Sequence, residues 1–113
     1  MKTLNEVQKI YCFNILNDAR VAAQEAVDNC GIVPAFGNCG FAWVNISARG
    51  NFAKFTKELK ISDKAYPKGR NIWYSRVYDS NTQSMDIHKV ACNAFAKVLI
   101  ENGIKCSVGC RLD

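Results

Sequence analysis

The sequence predicts a single α+β domain spanning residues 1–113, with elements in the order α-β-α-β-α-β. Two kinds of periodicity predict it. Three stretches carry apolar residues at helical spacing, and three others alternate or concentrate β-branched and aromatic residues. Clusters of Gly, Pro and Asn separate them, without repeats, low-complexity tracts or linkers. A 49% apolar fraction supplies one core. A chain of this size buries roughly two thirds of its unfolded surface, so it can fold without covalent staples.

Thr3-x-x-Glu6 reads as a capping box, and it opens a stripe of Leu4, Val7, Tyr11, Ile15, Ala19, Ala22 and Ala26. Asn29-Cys30-Gly31 supplies the stop, giving a helix over residues 4–29. Ile10, Phe13 and Leu16 widen its apolar face, which suits a helix packed on two things, here a sheet and a partner subunit. After a Gly- and Pro-containing loop at 31–40, residues 41–49 alternate. Ala42, Val44, Ile46 and Ala48 form a plain core face. Phe41, Trp43, Asn45, Ser47 and Arg49 form the other, whose aromatics and cation call for a covering partner.

Gly50-Asn51 starts a short helix with Phe52, Phe55 and Leu59 on one side and Lys54, Lys57 and Glu58 opposite. Residues 62–70 read as a loop, and Asn71 to Tyr78 as the second strand. Asp79-Ser80-Asn81-Thr82 is turn chemistry. Ser84 caps a third helix, with Ile87, Val90, Ala91, Ala94, Phe95 and Val98 on its buried side and Gly103 at its end. The last strand points Ile104, Cys106, Val108, Cys110 and Leu112 inward and Lys105, Ser107, Arg111 and Asp113 outward.

The net charge of +5 is uneven. Residues 1–48 carry −1 and residues 49–113 carry +6, so the positive field belongs to the C-terminal part and favours anionic partners. No apolar run approaches the roughly 18 residues that span a bilayer. Residues 1–6 lack the apolar stretch of a signal peptide, which argues against export. Of the six cysteines, none forms C-x-x-C. Cys106 and Cys110, four apart in a strand, stand roughly 13 Å from each other, too far to bond. The cysteines read as reduced core residues.

Catalytic chemistry is hard to find. His88 is the only histidine, mid-helix beside Lys89, and reads as a surface residue. No Ser-His-Asp set, metal-ligand cluster or phosphate loop stands out, so the sequence predicts neither an enzyme nor a metal or cofactor. What remains suits an anionic, planar ligand. Arg49 follows an aromatic strand face, Arg70 precedes Trp73 and Tyr74, and Arg111 and Asp113 project from one face of the last strand. Arginine forks match phosphate oxygens, aromatic rings stack on bases, and a carboxylate accepts from ribose hydroxyls. The plainer alternatives are Trp43 and Trp73 in the core and Arg111 with Asp113 as an exposed pair of little energetic weight. Asn93 interrupts the third helix near its buried edge, either bonding the backbone or facing a ligand.

Gly40-Phe41-Ala42-Trp43-Val44, then Arg49-Gly50-x-Phe52-x-x-Phe55, the strand with Trp73, the Gln83-Ser84 helix start, the Ala-rich third helix and the closing Arg111-Leu112-Asp113 resemble a family of small phage proteins. This is the Thoeris anti-defence family, sponges for cyclic ADP-ribose-type immune signals. The likeness covers residues 37–113, the first helix matching in length and pattern only, and the loop before Gly40 is shorter here. The resemblance implies an antiparallel sheet flanked by helices and a non-catalytic sponge in the host bacterial cytoplasm. It implies a homodimer that can assemble into a trimer of dimers. The ligand would be a cyclic nucleotide such as glycocyclic ADP-ribose, held at the dimer interface; some members also bind cyclic dinucleotides at a separate site. Carried over by position, the pocket would use Arg111 and Asp113, then Asn93 and Arg49, with Trp73 or Phe52 as the aromatic.

Two other readings compete. A nucleic-acid-binding module would use Lys54, Lys57, Lys60, Lys64, Lys68 and Arg70 as a phosphate track. A thiol enzyme or cyclic-nucleotide hydrolase would need an activated Cys39 or Cys110.

Overall fold

The structure is a computed structural model that describes residues 4–31, 40–59, 63–64, 71–75, 77–78 and 84–112. Three helices, α1 (Glu6–Asp28), α2 (Asn51–Glu58) and α3 (Met85–Glu101), alternate with strands β1 (Gly40–Ser47), β2 (Asp63–Lys64), β3 (Asn71–Tyr74) and β4 (Cys106–Leu112). The strands form one antiparallel sheet in the order β2-β3-β1-β4. The expected α+β order therefore holds. The two-residue β2 is added inside the segment read as a loop, and a bridge made by backbone bonds alone leaves no side-chain pattern to read.

β1 is central, and its alternation works as read from Phe41 to Ser47; Ala48 and Arg49, read as its last two residues, lie beyond the strand, with Ala48 only half-buried. Ala42, Val44 and Ile46 are at most 7% exposed and face α3 with Ile72 and Tyr74 of β3. Tyr74 stacks on Phe95 of α3 at 5.1 Å, which ties helix to sheet. β3 is shorter than expected. Val77 is buried beyond the strand, and the Tyr78 hydroxyl lies 2.8 Å from His88 Nδ1. His88 is thus half-buried and engaged rather than a free surface residue. β4 lies at the sheet edge, so its inward side is only partly covered: Cys106 and Val108 are half-buried and Cys110 is exposed, not inward in the core.

The caps explain the helix ends. α1 begins with a capping box, but it is Asn5 with Gln8, not Thr3 with Glu6. The Asn5 side chain accepts from Gln8 N at 2.8 Å, and Gln8 Oε1 accepts from Asn5 N at 3.0 Å. Asn is among the best N-caps, and Gln reaches back as well as Glu does. Leu4 then enters the core ahead of the helix, its N–H donating to Glu58 Oε1. Ser84 caps α3 as expected, accepting from Ile87 N. Gly103, at φ 78°, closes α3 in a Schellman motif: Ile104 N donates to Leu99 O and Gly103 N to Ile100 O, both at 3.0 Å.

α1 packs along α3, and its buried side runs Cys12, Ile15, Leu16, Ala19 and Ala23. That face is rotated from the expected stripe. Val7 and Tyr11 are 77% and 58% exposed, as are Ile10 and Phe13 at 61% and 58%. The small Ala19 and Ala23 permit the close approach to α3 that larger side chains would block. α3, between α1 and the sheet, is buried on a wider arc than one stripe, so Cys92, Ala96 and Leu99 join Ile87, Ala91 and Phe95. The five described cysteines, Cys12, Cys30, Cys92, Cys106 and Cys110, are unpaired. Among the described residues, no helix is long and apolar enough to cross a membrane.

Candidate functional site

The outward residues of β1 and the antiparallel register build a site on the open face of the sheet. Phe41 stands opposite Arg111, Trp43 opposite Gly109, and Asn45 between Ser107 and Trp73. Trp43 lies flat across β4 because Gly109 has no side chain there. A Cβ at 109 would fall 2.7 Å from Trp43 Cε2 and Nε1. The indole is pinned: Nε1 donates to Asn45 Oδ1 at 3.0 Å, and Asn45 Nδ2 donates to Ser107 Oγ at 3.4 Å. Trp73 stacks on it with centroids 4.7 Å apart. The Arg111 guanidinium carbon lies 5.9 Å from the centroid of Phe41, which is 51% exposed. Phe41, Trp43, Trp73, Ser75 and Arg111 surround a half-open cavity of about 250 Å³. Such a set can stack on a planar ring and fork onto an anion.

A larger cavity, about 590 Å³, opens between α1, the β1–α2 corner and the α3–β4 turn. Arg49 and Phe52 line this one, with Arg49 exposed and Phe52 only 4% exposed. The expected site residues are therefore divided: Arg111 with Trp73 at the first cavity, Arg49 with Phe52 at the second. Of the two expected aromatics, Trp73 is the one that shares a cavity with Arg111, and Phe52 belongs mainly to the core. Asn93 is exposed on α3 and lines neither cavity, because the buried arc of that helix turns toward Cys92 and Ala96. Arg70 and Asp113 lie outside the described residues, as do Cys39, Lys60, Lys68 and the side chain of Lys64.

Phe41 and Trp43 were legible as an uncovered face, but Gly109, Asn45 and Ser75 were not singled out. A glycine opposite a tryptophan was the available signal, and it becomes visible only once the β1–β4 register is fixed. Among the described residues, no group of His, Cys, Asp and Glu is arranged to hold a metal ion. Burial pushes the thiols of Cys12 and Cys106 up and that of Cys92 up to about 12, Cys110 adding to the last. These three sulfurs stay protonated at neutral pH, which does not suit a nucleophile. Comparison with protein-family models, curated proteins and solved structures finds no match to this chain. Function is therefore argued from the site.

Proposed function

We propose that the protein is a non-catalytic binder that captures and sequesters a cyclic nucleotide of the cyclic ADP-ribose type, as do the anti-defence sponges its motifs resemble. One observation carries the reading: Arg111 lies over Phe41 and lines one cavity with Phe41, Trp43 and the stacked Trp73. A base stacked on Phe41 or the indole pair gains about 1–3 kcal/mol, and an arginine–phosphate fork about 1.5–3 kcal/mol. A sponge needs roughly −12 kcal/mol for nanomolar capture, so one chain supplies only part. The cavity of about 250 Å³ is also smaller than the roughly 300–1,000 Å³ of small-molecule sites. Both shortfalls favour a site completed by a second copy. The edge strand β4 and the exposed Ile10 and Phe13 are surfaces for that copy to cover.

The test is to mix the protein with glycocyclic ADP-ribose, remove free ligand, heat-denature and assay what is released. Intact ligand in stoichiometric amount is the expected result. Ligand returned broken would make the protein an enzyme. Ligand never retained, with single-stranded oligonucleotide bound in a steeply salt-dependent way, would make it a nucleic-acid module.

A further inference from the structure

The larger cavity is built differently from the sheet-face site. Its wall is apolar, formed by Val7, Tyr11 and Ile15 of α1 against Ile46 and Ile104. Val7 and Tyr11 are among the most exposed apolar side chains on the chain's surface, yet they turn toward this hollow. About 590 Å³ falls well inside the roughly 300–1,000 Å³ typical of ligand pockets. The charges on its wall are of one sign. Among the described residues lining it, Arg49 and Lys105, both exposed, are the ionised ones.

A third polar contribution sits at the same rim. Gly50, at φ 122°, is the N-cap residue of α2, and its position gives that helix no side-chain cap bond. The first intrahelical bond is Lys54 N to Gly50 O, so among the described residues the N–H groups of Asn51, Phe52 and Ala53 have no side-chain acceptor there. All three residues line the cavity. Uncapped N–H groups and the positive end of a helix favour an anion. Two cations beside them raise that preference.

From the apolar wall and the cationic rim together, we propose that this cavity binds a small amphipathic anion, its hydrocarbon or aromatic body along α1 and its carboxylate or sulfonate at Arg49, Lys105 and the start of α2. The site is separate from Arg111 and does not depend on nucleotide binding.

The probe is 1-anilinonaphthalene-8-sulfonate, an aromatic anion whose fluorescence rises in apolar sites, titrated into native protein and competed with dodecanoate or dodecylammonium. Saturable one-to-one binding displaced by dodecanoate but not by dodecylammonium is expected. Arg49→Ala with Lys105→Ala weakens it at least about tenfold, and Tyr11→Glu removes it. Both variants change exposed side chains, and near-ultraviolet circular dichroism confirms that they fold. Arg111→Ala leaves binding unchanged. Absence of saturable binding, equal displacement by the cation, or full affinity in the Arg49/Lys105 variant overturns the proposal.

Discussion

The two faces of β1 are made from one eight-residue strand and follow different physics. On the inner face Ala42, Val44 and Ile46 vanish beneath α3, and their stability comes from apolar area removed from water. On the outer face Phe41 and Trp43 are larger yet remain partly exposed, and order comes from stacking, an indole hydrogen bond and a missing Cβ. Stability and the proposed ligand chemistry are thus segregated by residue parity. An inner substitution should cost the fold more than an outer one, and an outer one should change binding.

The largest effect tests the inner side. Phe95 is fully buried and stacked on Tyr74, so Phe95→Ala should cost about 3–5 kcal/mol in chemical denaturation. A loss below about 1 kcal/mol would mean the core is not organised around that stack.

Next comes pH. The Cys92 thiol, raised from 9.0 to about 12, is protonated in the folded state while the unfolded chain ionises. Its contribution is complete below pH 9 and is lost as pH rises toward 12, at about 1.4 kcal/mol per unit. Urea midpoints between pH 8.5 and 11 should fall more steeply in the wild type than in Cys92→Ala; equal slopes would remove Cys92 as the cause.

Gly109→Val sharpens the comparison from the outer side. The new Cβ must displace the Trp43 ring, so stability should drop by about 1–3 kcal/mol while nucleotide retention disappears. Retention at full level would show that the flat indole is not part of the site.

The smallest expected change in stability is at Arg111. Because the residue is exposed, Arg111→Ala should alter unfolding by less than about 0.5 kcal/mol, yet weaken nucleotide binding at least about tenfold. Loss of both together would contradict the separation of the two faces.

Helices and alternation were readable because their periods are local. The strand parity of Phe41, Trp43 and Asn45 was correct without any tertiary information, and so were the Ser84 cap and the Gly103 stop. α1 was harder. Apolar residues occupy both Val7-Ile10-Tyr11 and Cys12-Ile15-Leu16, so the 3.6-residue period fits two faces, and only packing against α3 selects one. Its N-terminus was read as Thr3-x-x-Glu6, whereas the box that forms is Asn5 with Gln8, two residues on, with Leu4 buried ahead of it. The site was half legible. Arg111 and Trp73 do line one cavity, but Arg49 and Phe52 lie elsewhere and Asn93 is exposed, since residue type says nothing about which strands become neighbours.

The stacked indoles have an optical consequence. Trp43 and Trp73 are the only two tryptophans in the chain, and both lie in the wall of one cavity. Intrinsic emission excited at the red edge of the protein band therefore comes from that site alone. A ring that stacks there should quench it, while an anion entering beside Tyr11 leaves it dark to the event. The molecule thus carries its own reporter of the sheet-face cavity, which can be titrated without a label whether or not an anion occupies the other.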